Sequence, residues 1–143
     1  MLGIAPLIGG LLGTVAMTVF LLLPRWLNIG NVDVIRAAGA LVTKRTENAF
    51  GPGLIIHFGS GILFAYLYTF ALYFGKLPVN FLTCGLVGLV HGVIVMLLVS
   101  IVVLEHHPIA KYHDRGPMTG IMQLLAHVLY GVILGAVVHG LTS

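Results

Sequence analysis

The chain has 143 residues, of which 59% are hydrophobic and 8% are charged, and its formal net charge is +3. A soluble globular protein normally carries roughly a quarter of its residues as charges, so this composition excludes a soluble fold and places the chain in a bilayer. The single cysteine, Cys84, excludes an internal disulfide and a cysteine-based zinc ribbon. Nucleic acid is excluded as a partner because the chain has no soluble basic face.

Four apolar runs, each close to the roughly 20 residues that a membrane-spanning helix needs, lie between the charged residues. They cover residues 2–23, 53–74, 82–104 and 119–141. Because an irregular chain in lipid leaves its backbone polar groups unsatisfied, each run predicts a helix. The first run lacks the basic segment of a signal peptide and is followed by Pro24 and Arg25, so we expect it to remain in the protein. The predicted fold is all-α, a polytopic membrane protein with four transmembrane helices in one domain, residues 1–143.

A short amphipathic helix is predicted between the first two spans, at residues 31–45. Asn31 would cap it, Asp33 would lie in its first turn, and Lys44 with Arg45 would end it. Its apolar residues, Val32, Ile35, Ala38 and Val42, recur at helical spacing. We expect this stripe to rest at the acyl boundary on the cytoplasmic surface.

The basic residues indicate the orientation of the four spans. Six of them fall on one side, namely Arg25, Arg36, Lys44, Arg45, Lys111 and Arg115, and only Lys76 falls on the other. The positive-inside rule makes the first side cytoplasmic, with both termini outside and anionic lipid headgroups near the basic loops.

Small residues recur at helical spacing on three of the spans. They are Gly9 and Gly13 on the first, Gly61 and Ala65 on the second, and Gly131 and Gly135 on the fourth. Helices in lipid associate where small residues let their backbones approach, so these positions are predicted packing faces. The second and fourth spans share a His-x-x-x-Gly-x-x-x-small pattern that begins at His57 and His127, which suggests two duplicated helical hairpins.

Seven histidines are the main functional signal, and two of them, His57 and His127, lie at lipid depth on the cytoplasmic side. An intramembrane polar side chain is costly unless it finds a partner inside the bundle. One interpretation is structural, with each imidazole bonded to a hydroxyl or to a backbone carbonyl of a neighbouring helix. The other is a cofactor site, in which His57 and His127 bind haem b, copper or another metal, with the following glycines admitting a macrocycle.

A second candidate site is the polar stretch EHHPIAKYHD, residues 105–114. Glu105, His106, His107 and His113 form a candidate metal site at the membrane surface, although contact with water also accounts for such polarity. We expect this loop to lie over His57 and His127 as a lid. A third hypothesis is proton or small-solute conduction along His127, His91 and His139; no carboxylate within the spans completes that pathway.

The order of several segments is familiar. GTVAMTVFLLLP, GNVDVIRAAGALV, GPGLIIHFGSGILFAYLY and GPMTGIMQLLAHVLYGVILG follow one another, with a glycine-rich third span between the last two. Together they resemble a family of uncharacterised small prokaryotic four-helix membrane proteins, known as a domain of unknown function. The resemblance implies a prokaryotic cytoplasmic membrane and brings no established activity or cofactor.

These observations favour a non-catalytic membrane protein, because the sequence shows no nucleophile elbow, phosphate-binding loop or carboxylate pair. The chain has more stripes of small residues than we expect one four-helix bundle to need for its own packing. We therefore expect an accessory subunit that packs against other membrane subunits of an oxidoreductase-type complex, or against itself. A metal- or haem-binding membrane protein is the alternative, and conduction is the second alternative.

Overall fold

The computed structural model describes residues 3–27, 33–99, 106–113 and 116–143. Five α-helices follow one another: α1 (Ala5–Trp26), α2 (Val34–Thr43), α3 (Phe50–Phe74), α4 (Phe81–Leu98) and α5 (Gly116–Thr142), with a 3-10 turn at Ala110–Tyr112 before α5. Within the described residues, four helices are long and apolar enough to cross a membrane, α1, α3, α4 and α5. Large apolar side chains such as Ile55, Leu63 and Val90 stay exposed on them, as a lipid-facing surface requires. The predicted fold class is confirmed.

The ends of the helices differ from the predicted spans by a few residues. The first helix continues through Pro24 to Trp26. The second membrane helix begins at Phe50, three residues before its predicted start, because Pro52 lies in its first turn, where the missing N–H costs no hydrogen bond. The third is described to Leu98, so the predicted segment 100–104 lies outside the described residues.

The predicted short helix is present as α2. Its apolar stripe was expected to rest at the acyl boundary, but the helix packs more closely against the bundle than that prediction implied. Asp33 is its N-cap and accepts a hydrogen bond from Arg36 N, whereas the predicted cap, Asn31, lies outside the described residues. Ile35, Ala37, Gly39 and Ala40 are buried, while Val42, which belongs to the predicted stripe, is exposed. The helix is therefore docked on the bundle by its small residues.

Contact between α2 and α3 depends on two glycines. A Cβ atom at Gly39 would overlap the carbonyl oxygen of Ala49, and one at Gly53 would overlap the carbonyl oxygen of Ile35. The two backbones thus touch directly, in the way that small residues permit in membrane helices. This contact fixes α2 across one end of the bundle, which we call the α2 end.

The four long helices pack in unequal pairs. The closest pairs are α4 with α5 and α1 with α5, followed by α1 with α3, while α3 and α4 touch each other far less. The predicted packing residues form these contacts. A Cβ atom at Gly9 or Gly13 would lie 2.9 Å from the side chain of Leu134 or Tyr130 on α5. Gly61 and Ala65 face α1, while Gly131 and Gly135 face Cys84 and Asn80 at the start of α4.

The surface segment 106–113 packs on α2. His107 is buried and its Nε2 lies 3.1 Å from the carbonyl oxygen of Ala37, while Tyr112 is buried against Ala37, Ala40 and Ala49. The expectation that this loop covers His57 and His127 is corrected by the packing. The covering element is α2, and the loop braces α2 from outside.

A histidine-lined cavity as the candidate functional site

A cavity of about 200 Å³ lies inside the bundle near the α2 end. All four long helices contribute to its wall, and Val34, Ile35 and Ala38 of α2 close it on one side. Its polar lining residues are Thr14 from α1, His57 and Ser60 from α3, His91 from α4, and Gln123, His127 and Tyr130 from α5. Because a membrane interior is otherwise apolar, so many polar groups around one space mark it as the candidate site.

The cavity opens between α3 and α4. The lining residues from α1 and α5 are buried, for example Thr14, Gln123 and His127. Most of those from α3 and α4, such as Ser60 and His91, are partly exposed. This side is also where neighbouring helices touch least. The opening therefore lies at the side of the bundle, between two helices.

His57 is held by a hydrogen bond between α3 and α1. Its Nε2 lies 3.1 Å from Thr18 Oγ1, and the Thr18 hydroxyl donates its own hydrogen to the carbonyl of Thr14 at 2.7 Å. A hydroxyl has one hydrogen, so as long as Thr18 gives it to Thr14, Thr18 accepts from His57 Nε2–H. In the neutral ring, His57 Nδ1 is consequently unprotonated, and within the described residues it has no hydrogen-bond partner.

His127 is fixed in the same way from its own helix. Its Nδ1 lies 2.7 Å from the carbonyl oxygen of Gln123, to which it donates. A neutral imidazole carries one hydrogen, so His127 Nε2 is an acceptor that no residue in the described part of the chain uses. Both predicted histidines therefore line one cavity. In each ring, one nitrogen makes the hydrogen bond that orients the side chain, and the second nitrogen keeps its lone pair.

His91 completes the polar wall. Its ring contacts that of His127 with centroids 4.7 Å apart, and it stacks on Phe64 with centroids 4.0 Å apart. The Tyr68 hydroxyl lies 2.9 Å from His91 Nδ1. The sequence analysis assigned His91 only to a proton relay. Its packing role could have been inferred from Gly88 and Gly92, which lie on either side of it. These two glycines bring α4 against α5 at this depth.

The structural interpretation, in which each imidazole ties its helix to a neighbouring one, holds for His57 but not for His127. His57 bonds the Thr18 hydroxyl of α1, whereas His127 bonds the carbonyl of Gln123 in its own helix. The bond from α5 to α3 is made by Tyr130, whose hydroxyl donates to the carbonyl of Gly61. These bonds leave one nitrogen of each ring unused, so they do not by themselves explain why both rings share a cavity.

A haem does not fit this space. The expected glycines do not admit a macrocycle, because Gly61 is filled by the Thr14 side chain and Gly131 by the backbone of Cys84. The volume, about 200 Å³, also lies below the range of roughly 300–1,000 Å³ that accepts drug-sized ligands. A smaller ligand is required.

The described surface candidates lie near one another but do not form a metal site. His107 uses both ring nitrogens, since Nδ1 accepts from Ile109 N at 3.0 Å and Nε2 donates to Ala37. His113 is exposed and its Nε2 bonds the carbonyl of His107, while His106 is exposed beside them. Glu105 lies outside the described residues. No group of three or more His, Cys, Asp or Glu side chains that can hold a metal ion occurs in the described part of the chain. A metal site that includes Glu105 stays a prediction.

The proposed conduction line is interrupted. His91 and His127 are in contact, but His139 follows His127 by 12 residues on α5, a rise of roughly 18 Å along a helix. It lies instead at the opposite end of the bundle, beside Lys76 in a shallow surface cleft. The three rings therefore do not adjoin one another.

A family model described as a family of unknown function, DUF6789, matches residues 2–143. The chain belongs to this family. Comparison with curated proteins and with solved structures gave no match. The expected membership of a family of unknown function is confirmed, and the description of DUF6789 assigns no activity. Any function for this DUF6789 member therefore has to be argued from the cavity.

Proposed function

We propose that this DUF6789 member is a non-catalytic membrane protein that binds a small, neutral, lipophilic ligand in the histidine-lined cavity. The observation that carries the proposal is the pattern of exposure around the cavity. Its floor, built by α1 and α5, is buried and polar, whereas its rim, built by α3 and α4, is partly exposed. A ligand dissolved in the bilayer reaches such a site directly from the side.

The chemistry of the wall supports binding of a neutral molecule. None of the described lining residues carries a permanent charge, and the polar ones offer hydroxyl, amide and imidazole groups. Sites of this kind hold an apolar ligand by its surface and orient it with a few placed hydrogen bonds. No carboxylate, thiol or phosphate-binding loop belongs to the lining, so the proposal assigns no reaction.

One observation that favoured an accessory-subunit role is explained by the fold itself. The stripes of small residues that suggested a large partner are used inside the bundle, where Gly9, Gly61 and Gly131 contact neighbouring helices. Such a role stays a prediction and is compatible with ligand binding. Unprotonated imidazole nitrogens also bind metal ions, so metal analysis belongs in the same test.

A ring-sized photoprobe tests whether the cavity is reached from lipid. Trifluoromethyl-phenyldiazirine partitions into bilayers and inserts into nearby bonds on illumination. In nanodisc-embedded protein, we expect label on Gln123, His127 and Tyr130, which are buried away from lipid. Ser60→Trp fills the partly exposed rim and should remove that label.

The matched control is Gly59→Trp. Nothing lies within 4 Å of a Cβ atom added at Gly59, so this tryptophan projects into lipid beside the opening and leaves the cavity free. Label on exposed Leu125 reports that the probe is present in every sample. Label on Leu125 with none on the three buried residues in the wild type contradicts the proposal. A stoichiometric metal ion lost on His57→Ala favours the metal-binding alternative.

A further inference from the structure

We propose that the cavity selects a hydroquinone-type head group, a ring whose two hydroxyls donate hydrogen bonds to His57 and His127. This inference rests on the proposed function, because it names the class of ligand for that same cavity.

The unused nitrogens of His57 and His127 act as hydrogen-bond acceptors. With the Thr18 hydroxyl giving its hydrogen to Thr14, His57 donates through Nε2 and accepts through Nδ1. His127 donates through Nδ1 to Gln123 and can only accept through Nε2. Both residues line the one cavity from different helices, and a ligand that pairs with both unused nitrogens supplies two donors.

The second step is the charge of the ligand. A cationic donor would sit at lipid depth without a counter-charge, because the described lining residues include no carboxylate. A neutral ligand with two donors avoids this cost. Hydroxyl groups meet the requirement, and the third ring, His91, is held in place by the Tyr68 hydroxyl.

The third step is size. An apolar protein cavity of about 150 Å³ holds a benzene molecule, so the present volume of about 200 Å³ accepts one six-membered ring with small substituents. Phe64, stacked on His91, adds an aromatic surface against which such a ring can pack. A hydrophobic tail would leave through the opening between α3 and α4 into the bilayer.

The inference makes a redox-dependent prediction. A hydroquinone has two O–H donors, whereas the oxidised quinone has two carbonyl acceptors that would face imidazole lone pairs. Replacing two donors by two acceptors leaves both nitrogens unpaired, so the reduced form should bind at least about tenfold more tightly. A pocket that binds its ligand by apolar contacts alone would not show this preference for the reduced form.

The test uses a benzoquinone with one isoprene unit as its tail and the reduced form of the same molecule. Binding to nanodisc-embedded protein is measured by calorimetry under anaerobic conditions, with empty nanodiscs as the blank for partitioning. The wild type should prefer the reduced form at least about tenfold. His57→Phe and His127→Phe keep a ring of similar size and should each reduce the preference, whereas the control His139→Phe, at the far end of α5, should keep it.

The outcomes separate the two proposals. Equal or tighter binding of the oxidised form by the wild type overturns the inference, and this comparison needs no variant to fold. If photolabelling still reaches Gln123 and His127 in that case, the cavity binds another lipophile and the proposed function stands. If the buried residues take no photolabel and neither quinone form binds, both proposals fail.

Discussion

Single atoms decide how the helices of this bundle approach one another, and Gly88 on α4 is the clearest case. A Cβ atom there would overlap the carbonyl oxygen of His127, and the adjacent backbone of Val128 leaves it no room to shift. The hydrogen at this position therefore sets both the distance between α4 and α5 and the position of a cavity residue. The glycine thus positions the cavity residue through packing.

Gly88→Ala should destabilise the bundle by roughly 1–3 kcal/mol, the usual cost of adding a methyl group to a packed interface. Gly59→Ala adds the same methyl group where nothing lies within 4 Å, so it should be neutral or slightly stabilising because alanine favours helix. Unfolding in sodium dodecyl sulfate, followed by circular dichroism, compares the two. Equal stability of the variants would contradict the assigned contact.

A second residue-scale prediction concerns the bond between α1 and α3. Thr18→Val keeps the shape of the side chain but removes the acceptor for His57 Nε2, which lies 3.1 Å from Thr18 Oγ1. Interhelical hydrogen bonds in membrane proteins contribute about 0.6 kcal/mol on average, so the expected loss of stability is of that order. The same denaturant titration measures it, with Thr142→Val as the control, because Thr142 bonds only within its own helix. A loss no greater than that of the control would show that the bond between the helices contributes little.

At the scale of elements, α2 and the segment 106–113 behave as one unit. His107 joins them through Ala37, and Tyr112 packs among the alanines of α2. His107→Ala should therefore raise the rate of amide hydrogen exchange in residues 34–43 and 106–113. Lys111→Ala removes an exposed side chain from the same segment and should leave exchange unchanged. Increased exchange limited to 106–113 would show that the segment does not brace α2.

The elements themselves were predictable, but their neighbours were not. Hydropathy identifies the crossings because lipid penalises every non-helical backbone. Helices α3 and α4 are apolar on all sides, so periodicity does not distinguish their buried faces from their lipid-facing ones. His57 and His127 were found because polar groups are rare at that depth. The pairing of His91 with Tyr68, and the part of Thr18 in orienting His57, depend on which helices adjoin.

At the scale of the whole molecule, the orientation in the membrane remains a prediction from charge. Lys44 and Lys76 are a matched pair, since both are exposed and both have positive φ angles, 58° and 53°. In a Cys84→Ala background, Lys76→Cys should react with a membrane-impermeant maleimide on intact cells. Lys44→Cys should react only after the cells are permeabilised. The reverse pattern would invert the topology and place both termini inside.

The pairing of α1 with α5 joins the first and last helices of the described chain. During synthesis, α1 enters the bilayer long before α5 exists, and its glycine face at Gly9 and Gly13 has nothing to pack against until then. Closure of the bundle must therefore follow insertion of the final helix. A ribosome stalled before α5 would leave an open, incompletely assembled intermediate that presents this glycine face to the insertion machinery.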